Sequence, residues 1–165
     1  MTIRPMQSTD VDRVLEIAGS LAQAPRWARE MYESAANPES GPRRIALVAE
    51  EATSGHLAGF AVASIVLSEA ELETMGVTPE RQRRGVGRQL LEEMNRILAG
   101  LDVTKVTLEV RVSNVAAQAL YGSCGFVQSG RRPGYYADPK EDAIMMSVSL
   151  GEKRVPQGGQ SPCPA

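Results

Sequence analysis

The chain has 165 residues, 42% of them hydrophobic and 23% charged, the size and make-up of one globular domain that buries its core without disulfides or a structural metal. Eighteen Lys and Arg stand against twenty Asp and Glu, a net charge of −2, which argues against nucleic-acid binding through bulk charge. The longest apolar stretch, Leu57 to Leu67, is far shorter than the ~20 residues that span a bilayer, and the opening MTIRPMQSTDVD has no signal-peptide core; membrane and secreted classes are set aside and a cytoplasmic protein is expected.

Thr2 to Met6 reads as a short strand. Ser8 and Thr9 can cap a helix whose residues Val11, Val14, Leu15, Ala18, Leu21 and Ala22 recur at helical spacing. A second helix is predicted over Ala28 to Ala36, ended by Asn37-Pro38. Arg44 to Glu50 and Leu57 to Leu67 read as two strands joined by the turn residues Thr53-Ser54-Gly55, an antiparallel hairpin. Residues 69–78 have helical propensity, but Glu69, Glu71 and Glu73 alternate with apolar neighbours and Gly76 interrupts a helix; the segment is read as a strand.

Pro79 breaks the chain and Gln82 to Gly87 forms a basic, glycine-containing turn. Val86, Leu90, Leu91, Met94, Ile97 and Leu98 then mark a helix stopped near Gly100. Val103 to Val112 alternates as a strand. Asn114 begins a helix over Ala116 to Ser123, and Phe126 to Ser129 and Ala143 to Leu150 read as final strands around a loop, Pro133 to Glu141. The order βααβββαβαββ is mixed α/β with one parallel crossover through the helix after Gly87. Residues 151–165, rich in Gly, Pro, Gln and Ser, read as a disordered tail following a domain of residues 1–150.

Chemistry-bearing residues are few. Cys124 and Cys163 make no CxxC pattern, and the single histidine, His56, leaves no His-based metal cluster; no metal is expected. The turn Gln82-Arg83-Arg84-Gly85-Val86-Gly87-Arg88 lies between a strand and a helix. Helix-opening amides lack intrahelical partners and carry partial positive charge, and glycines let a phosphate come close. It is no Walker loop, since Gly-Lys-Ser/Thr is missing, and a solvated basic cap is the simpler alternative.

The motif Gln82-x-x-Gly85-x-Gly87 after a strand and before a helix resembles the signature of the GNAT acyl-CoA N-acyltransferases. Leu108-Glu109-Val110-Arg111-Val112-Ser113-Asn114, Ala119-Leu120-Tyr121 and Cys124-Gly125-Phe126 are similar to a run found in bacterial ribosomal-protein-alanine N-acetyltransferases. Arg131-Arg132, Tyr135-Tyr136, Glu141 to Met146, and Pro25 close to Trp27 add to the likeness, which covers roughly residues 2 to 150. It implies a single-domain GNAT fold, a mixed, mostly antiparallel central sheet with helices on both faces. It also implies acetyl-CoA as co-substrate and direct transfer, in a ternary complex, to a protein N-terminus: the N-terminal alanine of small-subunit ribosomal protein eighteen. Another amine as acceptor, or a non-catalytic acyl-CoA-binding module, are the rivals.

An α-amino group has a pKa near 7.7–8.0 and must lose a proton to attack, so a carboxylate base helps. Glu109 sits on the strand face opposite Leu108 and Val110, a position equally suited to a solvated residue; the resemblance implies that it accepts the proton. Tyr121 by pattern packs its ring against the core, and the resemblance implies that it donates to the leaving thiolate. Asn114 is a helix N-cap by pattern, to which the resemblance adds a hydrogen bond to CoA. The turn Gln82, Arg83, Arg84, Gly85, Val86, Gly87 and Arg88 is implied to hold the pyrophosphate, and the backbone of Met75, Gly76 and Val77 to pair with the pantetheine as an added strand does. Glu73, with Glu69 and Glu71, reads either as a solvated edge or as a groove for a basic peptide, and Trp27, Tyr135 and Tyr136 as walls of the acceptor cleft. Cys124, near a helix C-terminus where a thiolate is disfavoured, reads as packing. His56, Asp138, Glu141 and Asp142 read as solvated or loop charges.

Overall fold

The computed structural model describes residues 1–151; the rest of the expected tail lies outside the described residues. Its elements are β1 (Thr2–Pro5), α1 (Val11–Gly19), α2 (Arg29–Ala36), β2 (Arg44–Glu50), β3 (Leu57–Val66), β4 (Glu69–Val77), α3 (Val86–Gly100), β5 (Lys105–Arg111), α4 (Val115–Ser123), β6 (Val127–Ala137) and β7 (Lys140–Ser149), with single 3-10 turns at Ser8–Asp10 and Pro79–Arg81. The strands form one sheet in the order β1-β2-β3-β4-β5-β7-β6. Every neighbouring pair is antiparallel except β4 and β5, which run parallel because α3 returns the chain between them.

Two apolar layers enclose the sheet, and strand alternation sorts residues between them. Leu47, Ala61, Ala63, Leu72, Leu108 and Val110 face Leu90, Leu91, Met94 and Leu98 of α3 and Tyr121 of α4. Ala46, Val48, Phe60 and Val62 face Val14 and Ile17 of α1 and Tyr32 of α2. The helical stripe expected from Val86 to Leu98 is therefore the core face of α3, at the ~25 cal/mol/Å² typical of apolar burial.

Two irregularities shape the middle of the sheet. Leu72 of β4 lies opposite Ala63 and Thr74 opposite Val62, so Glu73 is an extra residue, a bulge. The bulge turns Thr74 to the side of Val62 and sends Met75 to the α3 side, where it packs against the first core layer. The β4–β5 ladder pairs Glu69 with Lys105, Ala70 with Val106 and Glu71 with Thr107 and then ends, although β4 runs on to Val77 and β5 to Arg111. Beyond Glu71 and Thr107 the two strands part. The β4 backbone is paired only to β3 there, and the gap is a slot lined by peptide groups.

Several local expectations are corrected. The segment Pro133 to Glu141 is not a loop: β6 runs through it to Ala137, and Tyr136 pairs with Glu141 and Ala137 with Lys140 in a hairpin. Pro133 and Gly134 are tolerated because β6 is an edge strand with a register shift between Arg132 and Tyr136, where a missing N–H costs little. Ser8 and Thr9 lie within a 3-10 turn, and the carboxylate of Asp10 accepts the Gln7 N–H at 2.8 Å. α1 ends at Gly19, before Leu21 and Ala22.

Candidate active site

The Gly-rich turn leaves β4 through Thr78 and one 3-10 turn. The Gln82 side-chain amide donates to the Val77 carbonyl at 3.1 Å, tying the turn to the end of β4. Arg83 and Gly85 have φ of 59° and 81°, left-handed values that glycine takes at no cost and arginine rarely. The first backbone bond across the start of α3 is Gln89 N–H to Gly85 C=O at 3.0 Å, so the amides before it face outward at the positive end of the helix dipole. Arg88 meets Glu92 at 3.6 Å; among the described residues Arg83 and Arg84 meet no carboxylate. A cavity of about 440 Å³ flanks the turn, with Arg84, Val86 and Gln89 in its wall.

Close packing draws this turn to the slot. A Cβ on Gly87 would stand 2.8 Å from Leu120 Cδ2 of α4 and 3.7 Å from Met75 Cε. A Cβ on Gly76 would stand 2.6 Å from Leu21 Cδ1 and 3.0 Å from Phe60; glycine lets the Leu21 and Phe60 side chains pack directly on β4 there. Met75, Gly76, Val77, Gln82 to Arg88 and the α4 helix are thereby gathered at one end of the slot. Asn114 accepts the Ala117 N–H at 3.2 Å, the N-cap expected of it.

Glu109 stands on the other wall, its side chain 16% exposed between the buried Leu108 and Val110. Arg132 Nη1 of β6 is 3.3 Å from its Oε1. The Tyr135 phenol lies against the same carboxylate, whose hydrogen-bonding pull, together with burial and charge, raises its pKa. Burial and the charge of Glu109 raise Tyr136 as well. The two rings pack edge-to-face at 5.0 Å. Tyr121 projects from α4 into the core, 5.9 Å from Phe126, and burial pushes its phenol up to about 12, with Tyr136 adding to the shift.

Glu73, Arg44, Trp27 and Tyr32 form a chain of contacts. Glu73 is ion-paired to Arg44 at 2.6 Å, and the Arg44 guanidinium lies 5.5 Å from the Trp27 ring centroid. Trp27 packs on Tyr32 at 5.2 Å. Glu73 thus enters the site with its charge offset, and Trp27 is tied to β4 through Arg44. Cys124 caps α4 and packs on the core, and His56 is exposed.

Sequence reasoning offered Glu71 with Glu69 and Glu73 as a groove for a basic peptide, but it missed Arg44 and the pairings of Arg132 with Glu109 and of Arg111 with Glu141. Arg132 stood in a recognisable Arg-Arg step, but nothing in its spacing pointed to Glu109. Glu141 and Asp142, expected as loop charges, are ion-paired to Arg111 at 3.3 Å and Arg131 at 2.7 Å, because the hairpin folds them onto basic strand residues.

A parallel strand pair that parts around a peptide-lined slot, with outward amides at the head of the crossover helix, is the architecture of an acyl-CoA-dependent N-acetyltransferase. The chain belongs to the acetyltransferase (GNAT) family, whose sequence pattern matches residues 12–126, and acetyl-CoA is its acyl donor. Within the family it is similar to the ribosomal protein bS18-alanine N-acetyltransferase of Escherichia coli K12, at 36% identity over 151 residues, 90% of this chain and 97% of that one. The crystal structure of the ribosomal-protein-S18-alanine N-acetyltransferase from Escherichia coli matches with a TM-score of 0.79 and 34% identity over 96% of both chains. Arabidopsis thaliana NAA60 in complex with acetyl-CoA shares the fold, with a TM-score of 0.79 at 22% identity over 90% of this chain and 97% of that one. The expected GNAT fold is thus the observed one. Among the described residues no helix is long and apolar enough to cross a membrane.

Proposed function

We propose that residues 1–150 form a cytoplasmic enzyme that acetylates a protein N-terminus, the N-terminal alanine of ribosomal protein bS18, by direct attack in a ternary complex. The observation that carries this reading is the parting of β4 and β5 beyond Glu71 and Thr107, with Glu109 on one wall and the α3 amides at the end of the other. Similarity to bS18-alanine acetyltransferases over nine-tenths of the chain supports the acceptor.

The outward amides of Arg83 to Arg88, in the turn that Gln82 ties to β4, hold the pyrophosphate of acetyl-CoA together with the Arg83, Arg84 and Arg88 side chains, and Asn114 adds a hydrogen bond. The backbone of Met75, Gly76 and Val77 pairs with the pantetheine and places an N–H on the thioester carbonyl, where negative charge develops. Trp27, Glu73, Tyr135 and Tyr136 wall the acceptor path. The α-amine arrives largely as ammonium at neutral pH. Glu109 takes one proton from the ammonium; the neutral nitrogen bonds to the acetyl carbon as the carbon–sulfur bond breaks; Tyr121, still protonated, gives its proton to the thiolate, and the second proton released by the nitrogen as it becomes an amide restores the phenol.

Mass spectrometry of acetyl transfer to a peptide beginning Ala-Arg tests the reading, beside free alanine, a lysine peptide and an N-blocked copy. Modification of the first peptide alone, at its α-amine and lost in E109Q, is the expected result. Transfer to lysine or free alanine instead would overturn the acceptor.

A further inference from the structure

The carboxylates that line the acceptor side of the slot are not equivalent. Glu73 is paired to Arg44 at 2.6 Å and Glu109 to Arg132 at 3.3 Å. Glu71 has no ion pair among the described residues, and it is exposed at the last rung before the strands part. Through that rung it shares the face of Thr107 and hence of Glu109. Burial, then the charges of Glu109 and Glu73, raise its pKa, and only Arg132 opposes them. Glu71 is therefore an uncompensated carboxylate in a negative field, the arrangement that gains most from a cation.

We propose that Glu71 is a specificity-determining residue of the acceptor site, receiving a cationic side chain immediately after the N-terminal residue of the acceptor peptide. The proposal rests on the acceptor reading above. Its geometry follows from the register. Glu109 lies two residues beyond Thr107, so its Cα and that of Glu71 are about 8 Å apart for strands rising ~3.3 Å per residue at ~4.8 Å spacing. With the α-amine at Glu109, the next Cα of the peptide is ~3.8 Å further on. The stem of an arginine or lysine spans the remainder. A neutral side chain leaves Glu71 in water at no gain. An acidic one meets the negative charge of Glu71, which no ion pair among the described residues neutralises. Selectivity of this kind resides in binding, because Glu71 touches neither the amine proton nor the thioester.

The test is steady-state kinetics on otherwise identical peptides beginning Ala-Arg, Ala-Ala and Ala-Glu, with wild type, E71Q and E71R. Wild type is expected to show a KM for Ala-Arg about tenfold below that for Ala-Ala, with similar kcat, a preference that weakens as salt rises. E71Q brings the two KM values together, and E71R shifts preference toward Ala-Glu. Three results overturn the proposal: the Ala-Arg preference surviving in E71Q; kcat falling alike on all peptides, which marks a chemical role; or a wild-type preference indifferent to salt, which needs no variant to observe. If wild type acetylates none of the peptides, the acceptor reading and this proposal fall together; if it acetylates them without regard to the second residue, only the proposal does.

Discussion

The Glu109 carboxylate and the Arg132 guanidinium meet at 3.3 Å over the intervening strand β7. The pair, with the Tyr135 phenol against the same carboxylate, fixes the direction of Glu109 beside the slot. If Glu109 accepts the amine proton, E109Q keeps the shape and loses the base. Its kcat is expected to fall by about 10²- to 10⁴-fold, the usual contribution of a positioned general base. Acetyl-CoA affinity, read by calorimetry, stays unchanged, because Glu109 is engaged with Arg132 and Tyr135 and not with the turn Gln82 to Arg88. Equal losses of affinity and rate would place Glu109 in folding or binding instead.

Tyr121 offers a prediction with a sign that follows from linkage. Burial raises its phenol to about 12, above the unfolded value near 10. Such a group contributes stability that is whole below pH 10 and is lost as pH rises through the folded value. Two pH units correspond to roughly 2–3 kcal/mol. Urea denaturation from pH 9 to 12 is expected to show wild type losing about that much more stability than Y121F. At neutral pH, Y121F is expected to turn over about 10- to 100-fold more slowly, through loss of the proton donor. Parallel stability curves would show the hydroxyl to be solvated.

Gly87 packs the Gly-rich turn at the start of α3 against α4. The Cβ of G87A would stand 2.8 Å from Leu120 Cδ2, so the Leu120 side chain must turn away or α3 and α4 must separate. Overpacking of this kind costs about 1–3 kcal/mol. Because separation displaces the backbone that carries the outward amides, the acetyl-CoA Kd should rise with the loss of stability, about tenfold or more. Full stability with weakened acetyl-CoA binding would also fit a purely local steric effect on the turn; full stability with unchanged binding would refute the packing.

Legibility divided along a physical line. Local patterns carried far: the apolar stripe of α3, the alternation that placed Glu109 opposite Leu108 and Val110, and the Gly-rich turn all reflect rules acting within a few residues. The slot did not read out, because it depends on where a ladder ends and on a one-residue bulge at Glu73, and both are set by packing against neighbouring strands. The partners Arg44 and Arg132 were hidden for the same reason: each meets its glutamate over 20 or more intervening residues. The hairpin of β6 and β7 was misread as a loop because Pro133 and Gly134 are turn residues by any local rule, and only edge position made them admissible in a sheet; Pro139 does lie in a turn, the short one that joins the two strands.

Glu141 binds this hairpin to the loop that carries Asn114. Its carboxylate accepts the Ser113 N–H at 2.5 Å and pairs with Arg111 at 3.3 Å, and the Arg111 guanidinium lies 4.1 Å from the Tyr136 ring centroid. These hydrogen bonds, from Ser113 foremost, and the charge of Arg111 hold Glu141 below the ordinary carboxylate range. A depressed carboxylate contributes stability above its unfolded pKa and loses it as pH falls through the folded one. Melting curves of wild type and E141Q are therefore expected to differ at pH 7 and to converge below about pH 4. If Tyr136 contacts the acceptor and Asn114 the donor, as proposed, the same variant should raise the KM for peptide about three- to tenfold and that for acetyl-CoA by less. Both KM values unmoved, with the melting temperature lowered, would leave Glu141 as a stabilising contact with no part in shaping the site.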